Sequence, residues 1–573
     1  MKAKHIMLAL LAIMFIQLTY SAHIHSLTND EVAHIPAGYN YLKGDFRLNP
    51  EHPPLIKQLS AISLLFLNIN PQYDDPYFIN ATESIDSEWQ YGHNFLFNNN
   101  ADKIIFWARI PIILLALLLG FFVYKWSKEL WGEKAGLFSL FLYTLSPTVL
   151  SQGILVNTDL GIATFMFISF YYFYKLLDKS TKKNLILSGV FFGLAMLSKF
   201  TALYMLPMYG VIYAIKSYKE KNWNIDLLKK LVIIGLIALL IINIGYGFNQ
   251  QNFRGEEKEK FASTLGRINP ILTTIANPIL KIIPIPNTYM QGLNSVSKHS
   301  IGGHEAYLFG QRSRSGWLYY FIITFLFKTP LAILALIALS IIYFKKTNLK
   351  TELTLVIPII LYFFFFMVNK INIGHRHIMP IYPFIFVFLG RTILIEKKWM
   401  KQILLTAIVW ILLINIFTFP HHLSYFNELS LNQGHKILLD SNIDFGQDLK
   451  ILKNKIKDEQ IYLAYWGKDN PDYRNINYEE LNCTPVSGKI AISVNYRIGI
   501  NKENDICFSW LDDYEPIDKA GKSIWIYDIK EIDENEFYSN KCKELCEDNC
   551  IKNGKKYLSS NVEDSECDCS CTD

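Results

Sequence analysis

The stretch LILSGVFFGLAMLSKFTALYMLPMYGVIYAI occupies residues 185–215, and its reading sets the layout of the whole chain. A membrane-crossing helix takes about 20 apolar residues, within a range of about 17–25. The run is therefore too long for one span and too short for two ideal ones. Charge decides between them. Three lysines lie in Asp178 to Asn184 and five in Lys216 to Lys230, with Lys199 in the middle of the run. As a single span, the run would put these two basic loops on opposite sides of the bilayer. As a hairpin turning near Ser198-Lys199, it keeps both on the cytoplasmic side, as the positive-inside rule favours.

The same parity places Lys2/Lys4, Lys125/Lys128/Lys134, Lys345/Lys346/Lys350 and Arg391/Lys397/Lys398/Lys401 inside. With apolar runs near 6–22, 104–126, 135–152, 157–177, 185–215, 231–248, 317–344, 354–368, 378–394 and 403–419, this gives a polytopic α-helical membrane protein of about eleven spans. Its N-terminus is inside and its C-terminus outside. A cleaved signal peptide is the alternative for the first run, because Lys2 and Lys4 precede a short apolar core and Ser21-Ala22 loosely resembles a cleavage site. Composition agrees with the membrane reading: the 573 residues are 51% hydrophobic and 14% aromatic. The net charge of +5 is small for this length and falls in topology-setting clusters, so nucleic acid is not an expected partner.

Topology sorts the polar residues. Residues 23–103 and 249–316 become long outer loops, and 420–573 an outer tail. The chemically capable side chains all fall on that face: Asp30, Glu31, Glu51, His52, Lys57, Asp159, Lys199, His304, Glu305, His375, Arg376 and His377. The inner loops carry mostly lysine. In the first loop, Pro53-Pro54 precedes the apolar Leu55 to Asn68, which is too short to cross and reads as an interfacial helix. Lys57 at its start either faces a phosphate or snorkels toward the headgroups. Asp159, after Asn157-Thr158, either caps the fourth span or belongs to a site, as membrane-edge carboxylates do when other polar groups converge on them. His375-Arg376-His377 fills a short outer turn, where an arginine suits bidentate contact with phosphate oxygens.

In order along the chain stand Asp30-Glu31, Gly44-Asp45, Glu51-His52-Pro53-Pro54-Leu55, Thr158-Asp159-Leu160 and Gly193-Leu194-Ala195-Met196-Leu197-Ser198-Lys199-Phe200-Thr201. Ile373-Gly374-His375-Arg376-His377-Ile378-Met379-Pro380, Tyr425-Phe426-Asn427-Glu428 and Asp440-Ser441-Asn442-Ile443-Asp444-Phe445-Gly446-Gln447-Asp448-Leu449 follow. This ordered set resembles the GT-C membrane glycosyltransferases, in the branch of the dolichyl-phosphate-mannose protein O-mannosyltransferases and the aminoarabinose lipid A transferase, over roughly residues 1–460. The resemblance implies transfer of a sugar (mannose, another hexose or a modified pentose) from a polyprenyl-phosphate carrier. The acceptor would be a hydroxyl of protein Ser/Thr, lipid or glycan on the outer face.

It also implies the roles. Asp30 is the acid near the acceptor, with Glu31 beside it and Asp159 in support. His52, Lys57, Lys199, His375, Arg376 and His377 would hold the lipid phosphate or donor. The lipid A branch has Glu-Lys where this chain has Glu51-His52, so either His52 or Lys57 takes up that lysine's part. A divalent metal ion seen in that branch would use Glu51 and His304. One base and no second nucleophile imply direct displacement with inversion.

The expected domains are a transmembrane catalytic domain (1–419), a small outer α/β domain (420–535) and a Cys-rich mini-domain (536–573). Asp444 and Gln447 resemble a capping box opening a helix with Leu449, Leu452 and Ile456 on one face. Strands are expected at Gln460 to Trp466, Lys489 to Val494 and Ser523 to Ile529. All eight cysteines lie in this tail, at 483, 507, 542, 546, 550, 567, 569 and 571. Their even number on the outer side argues for disulfides, with zinc as the alternative. A transporter or a non-catalytic scaffold are the rival functions. The first usually shows internal repeats and midplane charges, whereas no repeat is evident and the charges gather at one face. Abundant Ile, Lys and Asn point to a prokaryote, hence to its plasma membrane with the site facing outward.

Overall fold

The structure, a computed structural model, describes residues 2–81, 86–221, 223–248, 256–268, 270–342, 349–499 and 507–531. In the tail it describes 543, 546–547, 550, 556–563 and 566–572. Contacts divide the chain into two units. The first is Met1–Lys450 with Gly467–Asn470, and the second is Ile451–Trp466 with Pro471–Asp573. The first unit therefore extends past the expected boundary at 419, because residues 420–450 fold onto the helices.

Helix Asp159–Asp178 is the core of the first unit, with 78% of its apolar window buried. It packs against Ala101–Trp131, Lys182–Met196 and the segment beginning at His375. Among the described residues, six helices are long and apolar enough to cross a membrane, or seven if one bent pair counts as a single span. Of the remaining apolar runs, 231–248 falls largely in one continuous helix, Ile225–Gly245, and the others are divided into shorter helices, with proline accounting for two of the divisions. The residue before a proline is driven out of the helical region. Thr329, before Pro330, has φ −94° and ψ 130°, and the run 317–344 bends by 111° between Tyr320–Lys328 and Leu331–Ile342. Ser146, before Pro147, has φ −73° and ψ 122°, which parts Glu133–Thr144 from Pro147–Gln152.

The run 185–215 breaks where the charge argument places its turn. Helix Lys182–Met196 ends, Lys199 is extended at φ −157° and ψ 142°, and a short 3-10 turn, Phe200–Tyr204, leads into Met205–Lys219. Residues 55–66 form a short apolar helix, and Phe66 at its end is 86% exposed.

The first long loop is a packed layer. Helix Asn29–Tyr41 lies between Leu55–Ile62 and Ser87–Phe97. Two glycines permit the approach: a Cβ on Gly38 would stand 2.0 Å from the Lys57 carbonyl oxygen, and one on Gly92 2.0 Å from that of Val32.

The second unit carries a five-stranded sheet in the order Tyr478–Glu480, Ile461–Ala464, Gly488–Ser493, Ile524–Ile529, Asp518–Ala520. The first two neighbouring pairs are parallel and the last two antiparallel. The three expected strands are present. Helix Leu449–Ile456 is also present, with Leu449, Leu452 and Ile456 buried. The expected capping box does not form. The Gln447 side-chain oxygen accepts from the Phe445 N–H at 2.7 Å and Asp444 accepts from the Gly446 N–H at 3.0 Å, so both serve a tight local turn. Disulfides join Cys483–Cys507, Cys546–Cys569 and Cys550–Cys571, while Cys542 lies outside the described residues.

Candidate active site

Four charged residues remote in sequence meet at one place. Asp30 is in the first turn of helix Asn29–Tyr41, and Asp159 opens helix Asp159–Asp178. Both carboxylates thus stand at helix N-termini, where the macrodipole favours negative charge. The Arg376 guanidinium donates to the Asp30 carboxylate, and its Nε is 3.9 Å from Asp159 Oδ2. The Lys199 ammonium donates to Asp159 Oδ1 at 2.6 Å and to His377 Nδ1 at 3.2 Å. Because an ammonium only donates, His377 Nδ1 is the acceptor and its proton sits on Nε2. The Asp159 carboxylate thus serves the lysine, and Thr158 makes no side-chain cap.

Exposure separates these groups. The Asp30 side chain is 23% exposed, against 8% for Arg376, 10% for Lys199 and 2% for Asp159. Asp30 is the carboxylate that an incoming group can reach. Burial pushes its carboxyl up, but the Arg376 guanidinium and its hydrogen bond outweigh that and hold it below the usual carboxylate range. Arg376 also stacks over the Phe445 ring, 4.5 Å from its centroid.

The His375-Arg376-His377 tripeptide separates in space because it is 3-10 helix, His375–Ile381. With three residues per turn, consecutive side chains leave about a third of a turn apart. Arg376 turns to Asp30 and His377 to Lys199. His375 turns inward: its ring bonds the Tyr382 hydroxyl at 2.7 Å and Thr324 Oγ1 at 3.3 Å. These two bonds brace the turn.

Lys57 likewise faces inward. The ammonium is fully buried and lies 2.6–3.1 Å from four oxygens: Asn49 O, Asn49 Oδ1, His52 O and the Tyr41 hydroxyl. That is more acceptors than it has protons to give, so it neither snorkels nor is free for a phosphate. It pins the Pro53-Pro54 loop to helix Asn29–Tyr41. His52 packs edge-on against His34, ring centroids 5.4 Å apart, and its buried Nδ1 has no hydrogen-bond partner among the described residues. Burial holds the His52 ring neutral, so it would offer an anion a hydrogen bond, not charge.

Glu31, next to Asp30, is closed off. Arg109 directs all five guanidinium N–H groups at acceptors 2.6–2.9 Å away: both Glu31 carboxylate oxygens and the carbonyls of Ala22, His25 and Ser26. Thr28 and the Val156 N–H complete the Glu31 carboxylate. Glu31 positions Asp30 and is not itself within reach of a substrate.

Glu51 accepts from Ser295 Oγ at 3.0 Å, and His304 pairs with His299 at 3.0 Å. Among the described residues no third His, Cys, Asp or Glu completes a metal-ligand set around either, so no step below runs through a metal.

Three participants escape a reading of the sequence. Arg109 is a charge well inside the apolar run 104–126, a placement that signals function or a buried pair. His34 donates from Nδ1 to the Val156 carbonyl at 2.7 Å, and burial lowers its pKa to about 4. Asp440, given no role of its own in the sequence, is buried near Arg376, Asp30 and Glu305, and burial raises its carboxyl to about 7.

Residues 96–246 match the family model of dolichyl-phosphate-mannose-protein mannosyltransferases, so the likeness to GT-C membrane glycosyltransferases read from the sequence is borne out. That segment contains Arg109, Asp159 and Lys199. No curated protein matches the chain. Among solved structures, ArnT from Cupriavidus metallidurans bound to undecaprenyl phosphate has a TM-score of 0.48 at 10% identity, covering 91% of this chain and 97% of that one. The apo Archaeoglobus fulgidus oligosaccharyltransferase has a TM-score of 0.41 at 14% identity, covering 72% and 54%. The Saccharomyces cerevisiae (S. cerevisiae) Pmt1-Pmt2 complex bound to the sugar donor has a TM-score of 0.30 at 16% identity, covering 46% and 36%.

Proposed function

We propose, from the match of residues 96–246 to the dolichyl-phosphate-mannose-protein mannosyltransferases, that this chain is an integral-membrane glycosyltransferase using a polyprenyl-phosphate sugar. It moves the sugar to a hydroxyl acceptor on the outer face of the membrane. The observation that carries this reading is the Asp30–Arg376–Asp159–Lys199 cluster, two carboxylates interleaved with two cations at helix N-termini. Asp30, the more open carboxylate, takes the proton of the acceptor hydroxyl. That oxygen forms a bond to the anomeric carbon as the carbon–oxygen bond to the lipid phosphate breaks, with inversion. The leaving phosphate gains negative charge, which the fixed Arg376 and Lys199 cations stabilise at a site largely closed to water. The buried His377 Nε2 and His52 Nδ1 have no partner among the described residues. They supply one donor and one further polar contact for such a ligand.

The test is transfer from a panel of labelled polyprenyl-phosphate sugars in membranes containing the protein. Label should reach an acceptor from one donor class. No transfer from any donor, even with native host membranes added as an acceptor source, would overturn the reading. Arg376→Lys keeps the charge but loses the planar fork. A charge-assisted hydrogen bond contributes about 1.5–3 kcal/mol, so donor KM should rise roughly 10–100-fold.

Asp440 adds a pH dependence. Its folded pKa of about 7 lies above the ordinary value of about 3.9. Its contribution to stability is therefore full below pH ~4 and lost as pH rises through about 7. Above that, a further negative charge near Arg376, added to those of Asp30 and Asp159, competes with the donor phosphate. Donor KM should rise between pH 6 and 8 in wild type and stay flat in Asp440→Asn.

A further inference from the structure

Away from the Asp30 cluster, two histidines and an aspartate converge. His25 directly follows helix Lys2–Ile24, His421 follows helix Lys398–Thr418, and Asp448 directly precedes helix Leu449–Ile456. His25 Nδ1 is 3.6 Å from Asp448 Oδ1, and His421 Nδ1 is 3.8 Å from the same oxygen. All three ligand atoms lie within 4.8 Å of one another. Asp448 is fully buried, His25 is 4% exposed, and the His421 side chain is 23% exposed.

The orientation of the His25 ring is fixed by its other nitrogen. Nε2 lies 3.1 Å from the Pro420 carbonyl oxygen, which only accepts, so Nε2 donates there and Nδ1 is the ring nitrogen that faces inward. Nδ1 has no hydrogen-bond partner among the described residues, and a carboxylate oxygen faces it. At 3.6 Å the two atoms are too far apart for a hydrogen bond, and the space between them suits a cation that both can touch. A histidine whose far N–H is anchored on a backbone carbonyl is also the usual arrangement of a metal ligand. The spacing agrees. Ligand atoms bound ~2.0–2.2 Å from a tetrahedral ion are roughly 3.3–3.6 Å apart, and the two measured separations are at or just beyond the upper edge of that range.

The geometry points to a site for a divalent transition-metal ion of the zinc class, held by His25 Nδ1, His421 Nδ1 and Asp448 Oδ1, that clips together the first and last apolar helices of the membrane unit. Two imidazoles and one carboxylate suit zinc. The clip ties elements that already touch: Gln17 on the first helix donates to Asn415 on the last at 2.8 Å, and Tyr20 packs on Phe419. Its position gives it a purpose. His25 and Ser26 lend their carbonyls to Arg109, which holds Glu31 and so Asp30. Asp448 ends the segment that brings Asp440, Asn442 and Phe445 to Arg376 and its turn. A metal here fastens both sides of the Asp30–Arg376 pair to one point without entering the chemistry.

The full-length chain in detergent, disulfides intact and stripped with chelator, is titrated with Zn2+ alone. Metal content and thermal unfolding are followed together. One zinc per chain should bind and raise Tm. In His421→Ala and in Asp448→Asn, affinity should fall by at least about 100-fold, the upper end of what losing even a supporting group costs, and the Tm rise should vanish. Co2+ substitution of the wild type gives a reading independent of either variant's folding: visible bands without a thiolate charge-transfer band are expected. No zinc uptake overturns the site and leaves a plain His25–Asp448 contact. Uptake that survives in both variants, or a thiolate band, overturns it by placing the metal elsewhere.

Discussion

Asp30→Asn should abolish sugar transfer, lowering kcat by roughly 10²–10⁴-fold, the usual worth of a positioned general base. The substitution is nearly isosteric, and the amide oxygen can still accept from Arg376. Donor KM should therefore change much less than kcat. A base whose carboxyl is held low by Arg376 is ionised throughout the neutral range, so Asp30 itself imposes no acid limb on the wild-type profile above pH ~4. Its effect on stability has the same sign. A depressed carboxyl contributes stability above its ordinary pKa of about 3.9 and loses it as pH falls through the lowered folded value. The check is transfer from the identified donor, with expression and unfolding temperature measured alongside. Transfer that survives in Asp30→Asn removes the base role from this residue. Asp159 would then be next, although its 2% exposure and its bond to Lys199 make it harder to reach.

Arg109→Ala should be the most destabilising single change in the membrane unit. It leaves the Glu31 carboxylate, with no solvent exposure, without its counter-charge, and strips partners from three backbone carbonyls. Breaking a buried pair in this way costs about 3–5 kcal/mol, a large part of the roughly 5–15 kcal/mol that holds a typical protein folded. Arg109→Lys should recover only part of the loss, because an ammonium has three donors for the five places that the guanidinium fills. Thermal unfolding in detergent measures this, and an unchanged Tm in Arg109→Ala would sink it. The effect also reaches the chemistry, since the same pair fixes the first turn of the helix bearing Asp30. Transfer should therefore fall by more than the loss of folded protein alone accounts for.

How far the sequence was legible follows from the range of the forces involved. The break at Lys199 was readable because hydropathy and flanking charge are local. So were the strands of the second unit, where apolar runs of four to six residues are bounded by turns. The breaks at Ser146 and Thr329 carried their own sign, a following proline, though each apolar run was first taken as continuous. The capping box at Asp444 failed because its spacing fits a cap and a tight turn alike, and only the Ser424 and Ile443 oxygens that receive the Gln447 amide decide between them.

The site was half legible. Counting spans and lysines leads one to expect Asp30, Asp159, Lys199 and Arg376 together, since lipid sorts residues by side, and the structure brings the four side chains to one place. Which of the twelve candidates on that face meet is a matter of packing and was beyond the sequence. Lys57 and His375 have the right chemistry on the right side, yet point away, into Asn49 and Tyr382. Arg109 stands apart from every motif read in the sequence, yet it organises the loop that carries Asp30. The sequence by itself thus determined a helical membrane protein and the segments that carry its charged residues, because hydropathy and net charge act on each segment alone. Only the tertiary structure decided that Asp30 pairs with Arg376, Asp159 with Lys199 and Glu31 with Arg109. A buried charge takes whichever opposite charge packing brings within about 3 Å, and partners up to 346 residues apart cannot be matched from sequence spacing.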